Sequence, residues 1–282
     1  MLISSKERRI VTCNQTNGEE DEKMTQEHLV VEKLGPVLSL TLNRPESLNA
    51  FSPEMILGIK EALLKAQKDE DIQVVVLSGA GRAFSAGGDV KTMGQAKGVQ
   101  VYEHIGKLNE LIVLMKETEK PIIAAVHGFA AGAGVNLALA CDLILAAEGS
   151  KFALSFSQVG LISDGGGSYL LPRLIGPHLA KQFFFTAEPI PAERLYQIGA
   201  INFLVPLEKL QEETTKFALK LAHGPGKAYG KQKKLIDQAF NTTLEEILEQ
   251  ERLIQTIMVE TDDHQEGIAA FKEKRKPAFK GK

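Results

Sequence analysis

Cysteine is nearly absent from this chain. Cys13 and Cys141 are the two in 282 residues, and neither sits in a metal-ligand or redox spacing, which points away from a disulfide-stapled fold and toward a reducing, cytoplasmic compartment. Histidine and cysteine do not cluster, so no metal is expected. An excess of charge is lacking too: 33 basic residues face 36 acidic ones, a net charge of -3, which leaves no global field to draw nucleic acid or an anionic membrane. No apolar run approaches the roughly 18 residues that span a bilayer, because glycine, histidine and aspartate interrupt the longest ones, and a soluble protein with no membrane partner is expected. The first residues have no apolar core of a signal peptide, and the run EEDEK argues against a transit peptide. Residues 1–23 are expected to be a disordered tail, with Met24 as an alternative start.

What is present is an ordinary globular composition, 44% hydrophobic and 24% charged, enough for a sizeable core. HLVVEKL and VLSLTL flank Gly35 and Pro36 and alternate as a β-hairpin would. Ser52, Pro53 and Glu54 read as a cap, a first-turn proline and an early acid, and Ile56, Ile59, Leu63 and Leu64 follow on one helical face. VVVLSG is then a buried strand. The order of strands and helices, repeated in kind, suggests stacked ββα units in an α/β core domain over 24–206. NFLVP is the last predicted strand. Residues 207–282 read as a helical region whose apolar faces are too broad for isolated helices, so it should pack on the core or on another subunit.

The chain is organised around Pro121 to Leu145, PIIAAVHGFAAGAGVNLALACDLIL. It reads as a strand, a Gly/Ala turn over Gly128 to Gly134, and an apolar helix. Small residues there let a ligand approach the backbone, and the free N–H groups of a helix start form an anion site. RAFSAGGDV, after VVVLSG, has the same character. Two such loops feeding amides into one place are what holding a developing oxyanion requires.

LNRPESLNAF, GRAFSAGGDVKTM, the stretch from Lys120 to Gly176 and EGIAAFKEKRKPAFK together resemble the crotonase (enoyl-CoA hydratase/isomerase) superfamily. The resemblance runs from about Leu29 to Lys280 and rests on several separate motifs in order. It implies a crotonase-like spiral of ββα units, a C-terminal helical trimerisation region with a homotrimer or homohexamer as the assembly, and a coenzyme A thioester as substrate, with no covalently bound cofactor. It places Gly88 and Ala133 at the two oxyanion positions, acting through backbone N–H. It also assigns Ala86, Val90 and Lys91 to a loop that cradles adenine, and Phe271 and Lys274 to C-terminal contacts with adenine or phosphate. Where the family often carries lysine this chain has Glu46, which shifts the phosphate contact toward Arg44.

Members of the family are expected to share enolate stabilisation, and their acid and base residues to decide the reaction. Where hydratases hold a water between two glutamates, this chain has Asn136 and Phe156; asparagine exchanges no proton near neutral pH and phenylalanine has no lone pair. A carboxylate stands instead at Asp164, where related dienoyl-CoA and ring-1,2-epoxyphenylacetyl-CoA isomerases carry aspartate. One base can move a proton from C2 to C4 of a 3-enoyl thioester without water. Asp164 and Asn136 are therefore the catalytic side-chain candidates, although an Asp-Gly pair read locally is an ordinary turn. Val159, Leu161 and Ile162 are expected to make its site dry, and a following helix start to favour its charge. His127 reads as a satisfied core histidine. A hydratase of low efficiency is the runner-up. A dehalogenase would need a tryptophan that the chain lacks. An RNA-binding relative is the reading from another class, resting on the runs KAYGKQKK and FKEKRKPAFK, whose interleaved acids favour a solvated face.

Overall fold

Gly35, at φ 60°, turns the chain between β1 (Leu29–Leu34) and an antiparallel β2 (Val37–Leu42), and this is the predicted hairpin. The structure is a computed structural model that describes residues 28–89 and 97–282, so the tail expected over 1–23 lies outside it. Ser52 caps α1 (Pro53–Lys68) by accepting from the Met55 N–H at 3.1 Å. Met55, Ile56, Ile59, Ala62 and Leu63 are buried, whereas Leu64, expected on that face, is 41% exposed. One step of 100° beyond Leu63 carries it off the apolar stripe.

The chain continues through β3 (Val74–Gly79), α2 (Gly98–Glu117), β4 (Ile122–Val126), β5 (Phe129–Ala131), α3 (Ala133–Ala140), β6 (Leu143–Ala147) and β7 (Lys151–Ala153). Then follow α4 (Gly167–Ile175), α5 (Pro177–Thr186), β8 (Ile190–Pro191), α6 (Ala192–Gln197) and β9 (Phe203–Val205). One sheet has the order β1-β2-β3-β4-β6-β9 and is parallel from β2 onward. A second, smaller sheet has the order β5-β7-β8. Its strand β5 lies inside the expected Gly/Ala turn, and at three residues it is too short to show a period.

Alternation along the strands divides the core. Leu38, Leu40, Val75, Leu77, Ile122 and Ala124 face a cluster shared with α1, α2 and α3. The intervening Val37, Val74, Val76, Ile123 and Ala125 face the other way. That second face is covered by α7 (Leu210–Ala222) through Leu210, Ala218 and Ala222. The helical region expected after 206 thus begins as a layer on the main sheet rather than as a separate body. Beyond it come α8 (Gly226–Gln238), α9 (Leu244–Met258) and α10 (Asp262–Lys272). Lys233 of α8 is inserted beside Asp142, Nζ to Oδ2 2.9 Å, where burial pushes the carboxyl up and the ammonium down. Helix α9 has no buried residue.

Candidate active site

Because β3 and β4 are parallel neighbours, with Ser78 opposite Ala125, the loops leaving their C-terminal ends start side by side. That edge is where open parallel sheets place ligands. The loop after β3 is stitched to β5: Ser85 N–H donates to Phe129 O at 3.2 Å, and Ala131 N–H donates back to Ser85 O at 2.8 Å. Gly87, at φ 78°, lets the two loops touch; a Cβ there would fall 2.4 Å from Ala131 O and 2.8 Å from Ala133 N. Gly88, the next residue, is thereby carried toward the start of α3 at Ala133. Among the described residues neither of their amides donates to a protein acceptor.

The first turn of α3 gathers the remaining groups. Asn136 is fully buried and its Nδ2 donates to Asp164 O at 2.6 Å and to Ser163 Oγ at 3.0 Å. Its amide hydrogens are thus engaged in fixing the Asp164 turn, while its Oδ1 is buried with no partner among the described residues. Asp164 is half-buried, and its Oδ1 is buried with no partner among the described residues. Burial pushes its carboxyl up, opposed by a hydrogen bond from its own amide and by the charge of His104. The dryness does not come from the expected neighbours: Val159, Leu161 and Ile162 are 57%, 51% and 89% exposed. Helix α2 supplies it instead. Leu108 Cδ2 would lie 3.3 Å from a Cβ at Gly165, and Ile112 Cγ2 3.5 Å from one at Gly166. Asp164 is also not a helix cap, since Gly166 takes that position on α4 with no side-chain bond.

Phe156, in the 3-10 turn Ser155–Val159, lies on the other side of that first turn. Its Cζ would be 3.7 Å from a Cβ at Gly132, the residue just before the Ala133 amide.

The expected coenzyme A contacts fare differently. Arg44 is turned inward: Nη1 donates to Ala50 O at 2.8 Å and Nη2 lies 3.4 Å from Asp89 Oδ2. Its charge braces the chain next to Gly88. Ala86 is half-buried in the loop, its N–H donating to Leu48 O at 2.8 Å. Val90 and Lys91 lie outside the described residues. Phe271, 86% exposed, lines a cleft with Pro225, Met258, Ile268 and Phe279, which shares no residue with the oxyanion loops, and Lys274 stands exposed just beyond α10. Within one chain these two are not brought to the site. His127 Nε2 donates to Gly81 O at 2.9 Å.

Asn49 and Ser85 were missed in the sequence. Buried Asn49, at φ 55°, accepts from Arg44 N–H at 2.8 Å and donates to the carbonyls of Ala80, Ala83 and Phe84 at 2.9, 2.8 and 3.2 Å. Ser85 Oγ accepts from Gly87 N–H at 3.1 Å. The only signal was an asparagine tolerating a left-handed turn. A cavity of about 570 Å³ lies away from all this, at the far end of α3 beside Cys141 and Asp142, and holds none of the site residues. Its Asp142 and Asp237 are paired with Lys233 and Lys116, whereas Asp164 Oδ1 has no partner among the described residues.

Two amides with no protein acceptor among the described residues and one half-buried acid thus lie at the edge of a parallel sheet in an α/β fold. The profile described as enoyl-CoA hydratase/isomerase matches residues 32–282. A 1,2-epoxyphenylacetyl-CoA isomerase of Escherichia coli (strain K12) is 39% identical over 87% of this chain and 95% of that protein. A crotonyl-CoA hydratase of Syntrophomonas wolfei is 33% identical over 91% and 99%. The crystal structure of an enoyl-CoA hydratase from Bacillus anthracis superposes with a TM-score of 0.87 at 32% identity, over 90% of this chain and all of that one. The chain belongs to the enoyl-CoA hydratase/isomerase family and has the crotonase fold.

Proposed function

We propose that this protein is an enoyl-CoA isomerase whose substrate is a 3-enoyl coenzyme A thioester. The amides of Gly88 and Ala133 hold the thioester oxygen as negative charge develops on it. Asp164 takes the proton from C2 and returns it at C4, so that the double bond moves and no atom is gained or lost. The observation that carries this reading is the buried, unpartnered Oδ1 of Asp164, a residue whose backbone carbonyl is held by Asn136 on the same helical turn as the Ala133 amide. Hydration needs a second group to orient and split water, and Asn136 and Phe156 offer none. The relative named as an epoxyphenylacetyl-CoA isomerase supports isomerisation in kind and makes acyl groups bearing a ring a second substrate class to try.

Pairing of part of the charge in the two basic runs favours a solvated face over a nucleic-acid surface. Lys231 and Lys234 both pair with Glu119, Lys233 is buried on Asp142, and Arg275 pairs with Glu266 and Glu273. The apolar residues of α9 support a homotrimer or homohexamer.

The test offers trans-3-enoyl-CoA and trans-2-enoyl-CoA separately and follows products by mass and absorbance. Isomerisation should outrun hydration, and Asp164→Asn should lower its kcat by about 10²–10⁴-fold. Rapid 3-hydroxyacyl formation untouched by that substitution refutes the reading.

A further inference from the structure

Resting on the isomerase reading, we propose that Phe156 is a specificity-determining residue that keeps water away from the proton carried between C2 and C4. Its ring and the backbone carbonyl of Asp164 are held at the same turn of helix from opposite ends of one loop. At one end, Gly132 N–H donates to Ala153 O at 2.8 Å, which holds the end of β7, and the 3-10 turn bearing Phe156 leaves from there. Gly132 itself is at φ 50°, ψ -124°, with the Phe156 ring at van der Waals distance from the space a Cβ would take. At the other end, Asn136, whose N–H donates to Gly132 O at 3.4 Å, grips the carbonyl of Asp164. Between them Leu161 N–H closes the loop on Phe156 O at 3.0 Å. The Phe156 ring against Gly132 and Asp164 held through Asn136 therefore both meet the first turn of α3, where a thioester would be held.

The chemistry then divides on access of water. Breaking C2–H leaves the electron pair in the enolate and the proton on Asp164. Forming C4–H uses the C3=C4 pair, and C2=C3 closes as the enolate collapses. In the interval Asp164 is an acid, and a water touching it would exchange its proton; a water at C3 would also be the nucleophile for hydration. The Phe156 ring can neither hydrogen-bond nor ionise, so it fills that approach without orienting a water.

The experiment converts 3-enoyl-CoA in heavy water and measures deuterium at C4 of the first-formed 2-enoyl product. The parent should transfer mostly the original proton. Phe156→Ala should raise deuterium incorporation several-fold and release some 3-hydroxyacyl product, while Phe156→Leu, which keeps an apolar plug, should stay near the parent. A merely structural lesion would lower kcat and leave the isotope partition alone. Fully deuterated product from the parent, or unchanged incorporation in Phe156→Ala at whatever rate, overturns the role of Phe156 and leaves the isomerase standing. No conversion of 3-enoyl-CoA by the parent overturns the isomerase reading and this role with it.

Discussion

Burial raises the Asp164 carboxyl above its ordinary value of 3.8, and this has opposite consequences for activity and for stability. The base must be ionised to accept the C2 proton, so kcat/KM for isomerisation should fall as pH drops through the raised value. The acid limb of the pH profile should therefore have its midpoint above 3.8. For stability, the folded chain holds this proton more tightly than the unfolded one. The ionised carboxylate thus costs stability at pH above the folded pKa, and the cost is relieved as pH falls through it. Asp164→Asn should consequently melt at or above the parent temperature near neutral pH, with the difference shrinking in acid, while activity is lost. A variant that melts well below the parent would show the carboxylate to be a stabilising group. Arg44 shows the limit of reading single residues: its charge was visible in sequence, but its partner Asp89 lies 45 residues away.

The first turn of α3 has an element-scale logic. A helix of eight residues has little stability of its own, and all eight are buried, so packing fixes where its free amides point. Gly87 is a point of close approach in that packing. Gly87→Ala would place a methyl 2.4 Å from Ala131 O at a φ of 78°, a conformation L residues rarely adopt. The loop must retreat, taking the Gly88 amide with it. Loss of one oxyanion donor costs about 10²–10³-fold in kcat, and a drop of that size is expected in steady-state assays with the circular dichroism spectrum retained. Activity within a few-fold of the parent would mean Gly88 is not a donor. The glycines of this loop were legible in sequence; Asn49, which pins it through three carbonyls, was not, because nothing local separates such an asparagine from one in an ordinary turn.

At the scale of the whole molecule, α9 is the element left over. Leu244 and Leu248 on one side and Leu253 and Ile257 on the other are 68%, 53%, 55% and 62% exposed. An amphipathic helix on a globular surface hides its apolar stripe, and one that is apolar on two sides calls for further cover. A second copy of the chain is the cover consistent with the proposed assembly. Sedimentation should give a mass three or six times that of the chain, and Leu248→Lys with Ile257→Lys should lower it toward one. A parent that sediments as a single chain rules the assembly out.

Patterns confined to neighbouring residues were determined by the sequence itself: the hairpin about Gly35, the Ser52 cap, the strand VVVLSG, and the two glycine loops with their small side chains. Those follow from backbone sterics and from periodicity, which act over a few residues. The dry setting of Asp164, the grip of Asn136, the capture of Arg44 by Asp89 and the burial of α7 on the main sheet were decided by the tertiary structure. Each depends on groups far apart in the chain, and desolvation and charge pairing depend on distance in space, not on order along the backbone.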